Sequence, residues 1–248
     1  MLSPAQLDRL KIVLVRARNP NNIGAAARAM HDFGFRHLCV VNEYAVPFET
    51  ARSAVDASAV MANAQVCASV AEAVADCTLV VGTTAVGERA LEHRLLALPE
   101  AGEKILAELA SEGGRVALLF GSEKTGLSNG ELSHCHWLLT IPMHEHEGTR
   151  HVSMNLGQAV AVCLYELARC GGALEDNGVP RAAQSGDIER FAALFTEMLV
   201  ETGYTHRHPS NSDEAGIRRL ILRMGLSEVD IQAWMGIARQ VLRKTRSE

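Results

Sequence analysis

The 248-residue sequence predicts an α/β domain on a largely parallel sheet, followed by a small group of helices. Two observations carry that prediction. Short runs rich in Val, Leu and Ile, at residues 11–16, 37–42, 77–82, 115–120 and 137–141, lack strict alternation, as strands covered on both faces do. Stretches of helical character separate these runs, so strands and helices take turns along the chain.

The first strand runs into Asn19-Pro20-Asn21-Asn22-Ile23-Gly24-Ala25-Ala26-Ala27-Arg28, a polar turn opening an alanine-rich helix near 22–34. Asn and Pro supply turn chemistry, and Gly24 permits close backbone approach. Arg28 follows Gly24 by about one helical turn. Free N–H groups at a helix start suit an anion such as phosphate. An ordinary βα turn with a solvated arginine fits these ten residues equally well. Further helices are expected near 51–62, 69–75, 99–112 and 154–170, and Val66-Cys67 marks a weaker strand.

Residues 171–186 are rich in Gly, Pro and polar side chains and read as a linker between a domain at 1–170 and helices at 187–248. The helical segments are expected near 187–202, 213–224 and 228–245. Ser227 and Asp230 have capping-box spacing, and Ile217, Leu220, Ile221 and Met224 give the middle helix one apolar face. So short a tail is expected to pack on the main domain or on a partner subunit.

Composition is that of a soluble globular protein, 48% hydrophobic and 21% charged. No apolar run approaches a membrane span, and the first residues lack a signal-peptide pattern. The six cysteines are scattered with no C-x-x-C, so buried free thiols and a cytoplasmic setting are expected. A net charge of −5 argues against a generic nucleic-acid coat. From Thr205 onward, however, eight Arg and Lys face five Asp and Glu, a local charge of +3 that leaves −8 on the rest. That tail reads as solvated helix faces or as a phosphate-contacting module.

Leu118 to Ser128 form a second notable stretch, a strand entering a polar loop bracketed by Gly121 and Gly126. It nearly matches a P-loop, but Leu127 stands where the lysine belongs. Ser122 also lacks the G-x-S-x-G frame of a nucleophile elbow. What remains is a tight loop at a strand's carboxyl end, where open α/β sheets bind ligands, with Glu123 placed to bond a cation such as Arg28. The third stretch is Ile141-Pro142, a polar loop, then Ser153-Met154-Asn155-Leu156. Ser153 is either the cap of the next helix or, with Asn155, a contact to a ligand hydroxyl or phosphate. His144, His146 and His151, with His134 and His136 nearby, suggest a metal. Their spacing fixes no third ligand, so solvated histidines and no metal are expected.

In this order, N-P-x-N-I-G-A-x-x-R at 19–28, F-G-S-E-x-x-G-L at 120–127, and I-P at 141–142 with S-x-N-L at 153–156 resemble the SpoU/TrmH branch of the SPOUT RNA methyltransferases. The resemblance covers roughly residues 10–170, and the tail looks like the extension of TrmJ-type enzymes. It implies a C-terminal trefoil knot in the α/β domain, an exception to the rule that chains avoid knots. The implied chemistry is methyl transfer from S-adenosylmethionine to a ribose 2′-hydroxyl, most like nucleotide 32 of the tRNA anticodon loop. Ribosomal RNA 2′-O-methylation and a non-catalytic RNA-binding role are the alternatives. A homodimer is implied, each site completed by the other subunit's Arg28, with no metal and no membrane.

Matched residue by residue, the resemblance makes Arg28, Ser153, Asn155 and Glu123 catalytic. It gives cofactor contacts to Gly82, Thr83, Gly121, Ile141 and Leu156. RNA contacts fall to Asn19, Arg28, Arg89, Arg218 and Arg219. Two features depart from the pattern. TrmJ-like sequences often carry Arg where Ser122 stands, and the 143–152 loop is longer than usual and rich in His. A 2′-hydroxyl is a very weak acid. Either Arg28 polarises a neighbouring phosphate that takes the proton, or Arg28 with a depressed pKa takes it.

Overall fold

A computed structural model describes residues 2–42, 58–85, 92–144, 153–170, 181–207 and 213–247. The strands are β1 (Leu10–Val15), β2 (His37–Val41), β3 (Gln65–Cys67), β4 (Leu79–Thr83), β5 (Leu95–Ala97), β6 (Val116–Phe120) and β7 (Trp137–Thr140). They form one seven-stranded sheet in the order β3-β2-β1-β6-β4-β7-β5, and every pairing is parallel. Successive side chains of a strand point to opposite faces. Leu10, Ile12 and Leu14 of β1 therefore join Leu118 and Phe120 of β6 in one core, while Val13, Val15 and Leu119 join the other. This double burial is why the strands read as unbroken apolar runs.

Among the described residues, α1 (Pro4–Leu7), α2 (Pro20–Asp32), α3 (Ser58–Ala62), α4 (Val70–Val74), α5 (Leu98–Ala110), α6 (Asn129–Leu132) and α7 (Leu156–Cys170) accompany the sheet. Helices α2 and α7 lie together, and a Cβ on Gly157 would come within 2.5 Å of the Ala25 Cβ. Five cysteines are buried and Cys170 is partly buried, all as free thiols. The edge strand β5 was not expected, because three residues are too few to show a period.

The tail forms α8 (Ser185–Glu201), α9 (Tyr204–Arg207), α10 (Glu214–Met224) and α11 (Glu228–Thr245). Phe191, Ile217, Ile221, Ile231 and Met235 make a separate small core. The expected linker of 171–186 is too long at its carboxyl end. The Ser185 and Gly186 amides donate to the Cys77 and Ala75 carbonyls at 2.7 and 2.8 Å, and α8 has already begun. Residues 171–180 lie outside the described residues.

Arg218 fastens the tail to the sheet domain, which corrects its assignment to RNA. Its side chain is only 8% exposed. It donates to Glu189 at 2.8 Å, to Glu214 at 2.6 Å and to the Ser133 hydroxyl at 2.8 Å. Arg219 is likewise engaged, with Glu92 at 2.5 Å. Neither guanidinium presents a free charge. Arg218→Ala removes charge-assisted bonds but leaves behind carboxylates that still reach solvent, Glu189 at 26% and Glu214 at 73% exposure. It is therefore expected to cost about 1.5–3 kcal/mol, read as a lowered urea midpoint.

Candidate functional site

The carboxyl ends of β4, β6 and β7 open onto a cavity of about 460 Å³. Thr83 and Thr84 line it from β4, the whole 121–127 loop from β6, and Ile141 and Met143 from β7. Ser153, Met154 and Leu156 close it from the start of α7. The 121–127 loop is shaped by its glycines. The Gly126 amide donates to the Ser122 carbonyl at 2.8 Å, and Gly126 takes φ 65°. A Cβ on Gly121 would lie 2.2 Å from backbone atoms of Gly126 and Leu127. Ser122 is turned inward, its hydroxyl 2.9 Å from that of Thr125.

The three sequence motifs meet through one chain of side-chain bonds. Asn155 donates to the Asn22 side-chain oxygen at 3.0 Å, and Asn22 donates to Glu123 at 2.9 Å. The Arg18 and Asn19 amides also point at Glu123, each at 3.4 Å. Burial pushes the Glu123 carboxyl up, but the bonds from Asn22, from its own amide and from Arg18 and Asn19 outweigh it. The carboxyl is held below the usual range and stays ionised. Glu123 thus clamps the start of α2, whereas a bond to Arg28 was expected. Asn22 lies within the first motif, and its role does not show in the sequence. Its signal is an asparagine two residues before Gly24.

Among the other expected residues, Thr83, Gly121, Ile141, Leu156, Glu123 and Ser153 line the cavity. Gly82 does not line it; a Cβ there would lie 2.9 Å from Cys135 Sγ and 2.9 Å from Leu138. Its absent side chain serves packing under the site. The cap of α7 is Asn155, whose oxygen accepts from the Gly157 amide at 3.0 Å. Ser153 is thereby left exposed, with no hydrogen bond among the described residues. Asn19 caps α2 by accepting from the Asn21 amide at 3.0 Å. Arg28 is exposed on α2, does not line the cavity, and has no partner among the described residues. It lies about 9 Å along the helix from Asn22. Arg89, His146 and His151 fall outside the described residues.

Two histidines expected in solvent belong to the fold. His134 Nδ1 lies 3.0 Å from Glu189, and His136 Nδ1 accepts from the Val80 amide at 3.1 Å. No group of three potential metal ligands occurs among the described residues. Burial lowers the His136 pKa to about 4, against an ordinary value of 6.5. Between these values the unfolded chain binds a proton that the folded chain refuses, so stability rises with pH across that window. Acidification from pH 7 to pH 4 is expected to cost up to about 3 kcal/mol through this residue. His136→Asn keeps an acceptor for Val80 and removes the titration, so its urea midpoint should fall less on acidification.

The sheet is parallel and α/β, the motifs after β6 and β7 line one cavity at the strand ends, and the 19–28 motif is bonded to them through Asn22. The chain belongs to the SpoU rRNA methylase family, whose sequence profile matches residues 9–165. It is 32% identical to the tRNA (cytidine/uridine-2′-O-)-methyltransferase TrmJ of Salmonella typhimurium, covering 98% of this chain and 100% of that protein. The TrmJ of Escherichia coli K12 is 34% identical, covering 93% and 94% respectively. The crystal structure of TrmJ from Z. mobilis ZM4 superposes with a TM-score of 0.77 at 29% identity, covering 93% of this chain and 98% of that one. A methylase family protein from Neisseria gonorrhoeae superposes with a TM-score of 0.67 at 28% identity, covering 78% and 97%.

Proposed function

We propose that this chain is an S-adenosylmethionine-dependent tRNA methyltransferase acting on a ribose 2′-hydroxyl, at nucleotide 32 of the anticodon loop. The observation that carries the reading is the Glu123–Asn22–Asn155 chain of bonds, which ties the three family motifs together beside one cavity that two of them line. Relatives named as tRNA (cytidine/uridine-2′-O-)-methyltransferases align along nearly the whole chain, tail included, which favours tRNA over ribosomal RNA.

The cavity suits the cofactor. Its volume of about 460 Å³ lies in the range of small-molecule sites. Leu127 and Leu156 offer apolar walls for a base, the Gly121 loop offers backbone groups, and Glu123 and Ser153 offer polar contacts. When bound, S-adenosylmethionine supplies a methyl group already activated on a sulfonium. The chain supplies placement and proton handling. Ser153, its hydroxyl uncommitted, orients the ribose. Arg28 holds the adjoining phosphate, which accepts the 2′-hydroxyl proton. An arginine, with an intrinsic pKa above about 12, is a poor base. Holding hydroxyl and methyl in line accounts for most of the acceleration.

Arg28 reaches a cavity in a second copy of the chain, so the active form is a homodimer. Two facts support this: Arg28 does not line its own cavity, and the same helix pair carries an exposed Tyr165 against Phe33. The chain is threaded as a trefoil knot, in keeping with β7 inserted between β4 and β5 and α7 returning against α2. We divide it into a methyltransferase domain, residues 1–170, and a helical extension from Ser185. With Arg218 and Arg219 committed, the exposed Arg223, Arg239, Arg243 and Lys244 grip the tRNA backbone, alongside Asn19 and Arg89 near the site. The enzyme works in the cytoplasm without a metal.

Incubation with labelled S-adenosylmethionine and separate pools of unmodified tRNA and ribosomal RNA tests the reading. Label in an alkali-resistant dinucleotide from tRNA is expected. Label confined to ribosomal RNA contradicts the substrate, and cofactor binding without transfer to either pool contradicts the enzyme.

A further inference from the structure

Arg16 has φ 56°, the left-handed region, and is the only non-glycine residue with positive φ among those described. For an L-residue that conformation is strained, because Cβ crowds the following carbonyl oxygen. It directly follows β1, where its amide is pinned to the Val41 carbonyl at 2.8 Å. The guanidinium grips Glu131 through two bonds, Nε to Oε1 at 2.6 Å and Nη2 to Oε2 at 2.9 Å. Nη2 also donates to the Gly126 carbonyl at 3.1 Å. Glu131 in turn accepts from the Ser128 amide at 2.6 Å, capping α6 immediately after the cavity loop. Burial raises the Glu131 carboxyl, yet the bonds from Arg16 and Ser128 hold it below the usual range. The strained residue therefore delivers a planar fork to both the carbonyl at the loop's turn and the cap that ends the loop. Strain retained beside a site is motivated by what the residue positions.

We infer that Arg16 and Glu131 are a positioning pair that holds the 121–127 loop in its cofactor-binding shape. The inference rests on the methyltransferase reading above. Neither residue lines the cavity, so the pair acts through Gly126 and Leu127, which do. A bidentate arginine–carboxylate pair fixes geometry as well as charge.

Arg16→Gly separates positioning from stability, because glycine takes φ 56° without strain while removing the fork. Calorimetric titration with S-adenosylmethionine is expected to show roughly tenfold weaker binding, with a thermal midpoint close to that of the parent protein. The cofactor KM should rise by the same factor while kcat at saturating cofactor changes little. Arg16→Lys should recover part of the loss. Arg16→Gly combined with Glu131→Gln should bind no worse than the weaker single variant, since one interaction is broken once. Parental affinity in Arg16→Gly, or additive losses in the double variant, overturns the inference and leaves the functional reading standing. A parent protein that does not bind S-adenosylmethionine overturns both.

Discussion

Arg28→Ala is expected to lower methyl transfer by about two to three orders of magnitude, the usual span for losing one group that holds charge in place in the transition state. It should leave the unfolding midpoint and S-adenosylmethionine affinity unchanged. Arg28 is exposed, makes no bond among the described residues and does not line its own cavity, so its removal disturbs neither packing nor cofactor. The loss therefore belongs to the substrate step. A second consequence follows from placing Arg28 in the other subunit's site. Arg28→Ala subunits keep a cofactor cavity but offer no arginine. Subunits disabled in the cavity keep the arginine. Refolding the two inactive proteins together should restore one working site per mixed dimer, roughly a quarter of parental activity for random pairing. No recovery on mixing would place Arg28 in its own subunit's site.

Gly121→Ala supplies the cavity-disabled partner and carries the second large effect. Its Cβ would lie 2.2 Å from the Gly126 carbonyl carbon and 2.2 Å from the Leu127 nitrogen. Both are backbone atoms, so no side chain can swing aside. The loop must open, and an opened loop displaces Leu127 and the clamp at Glu123. Cofactor affinity is expected to fall on the order of 100-fold, with about 1–3 kcal/mol lost from stability by overpacking. Gly126→Ala is the contrast. Its Cβ meets nothing within 4 Å, and only the φ of 65° resists it. That variant should lose about 1–2 kcal/mol of stability, with weaker effects on cofactor affinity. Calorimetric titration of both variants checks the ranking.

Much of this architecture was legible in the sequence, for a physical reason. A parallel strand covered on both faces must be apolar throughout, so β1, β2, β4, β6 and β7 announced themselves. The motifs at 19–28, 120–127 and 153–156 were legible because strand-end loops need turn residues and glycines at fixed offsets. Short elements were not. Strand β5 and helix α6 span three and four residues, less than any periodic signal requires. Which polar residue caps α7 was also hidden, since Ser153 and Asn155 have similar capping preference and only the fold assigns the bond to Asn155. Arg218 misled for a related reason. An arginine on a basic amphipathic helix looks the same whether it faces RNA or a partly buried Glu189. The backbone angle of Arg16 leaves no trace in composition, so a strained arginine reads as one more charge at a strand end.

The most direct measurement compares methyl transfer to two tRNA transcripts that differ in one atom, the 2′-oxygen of nucleotide 32. Transfer of about one methyl to the all-ribose transcript, and none to the transcript with 2′-deoxyribose at that position, is the expected result. Equal transfer to both transcripts would place the methyl elsewhere and contradict 2′-O-methylation at this nucleotide.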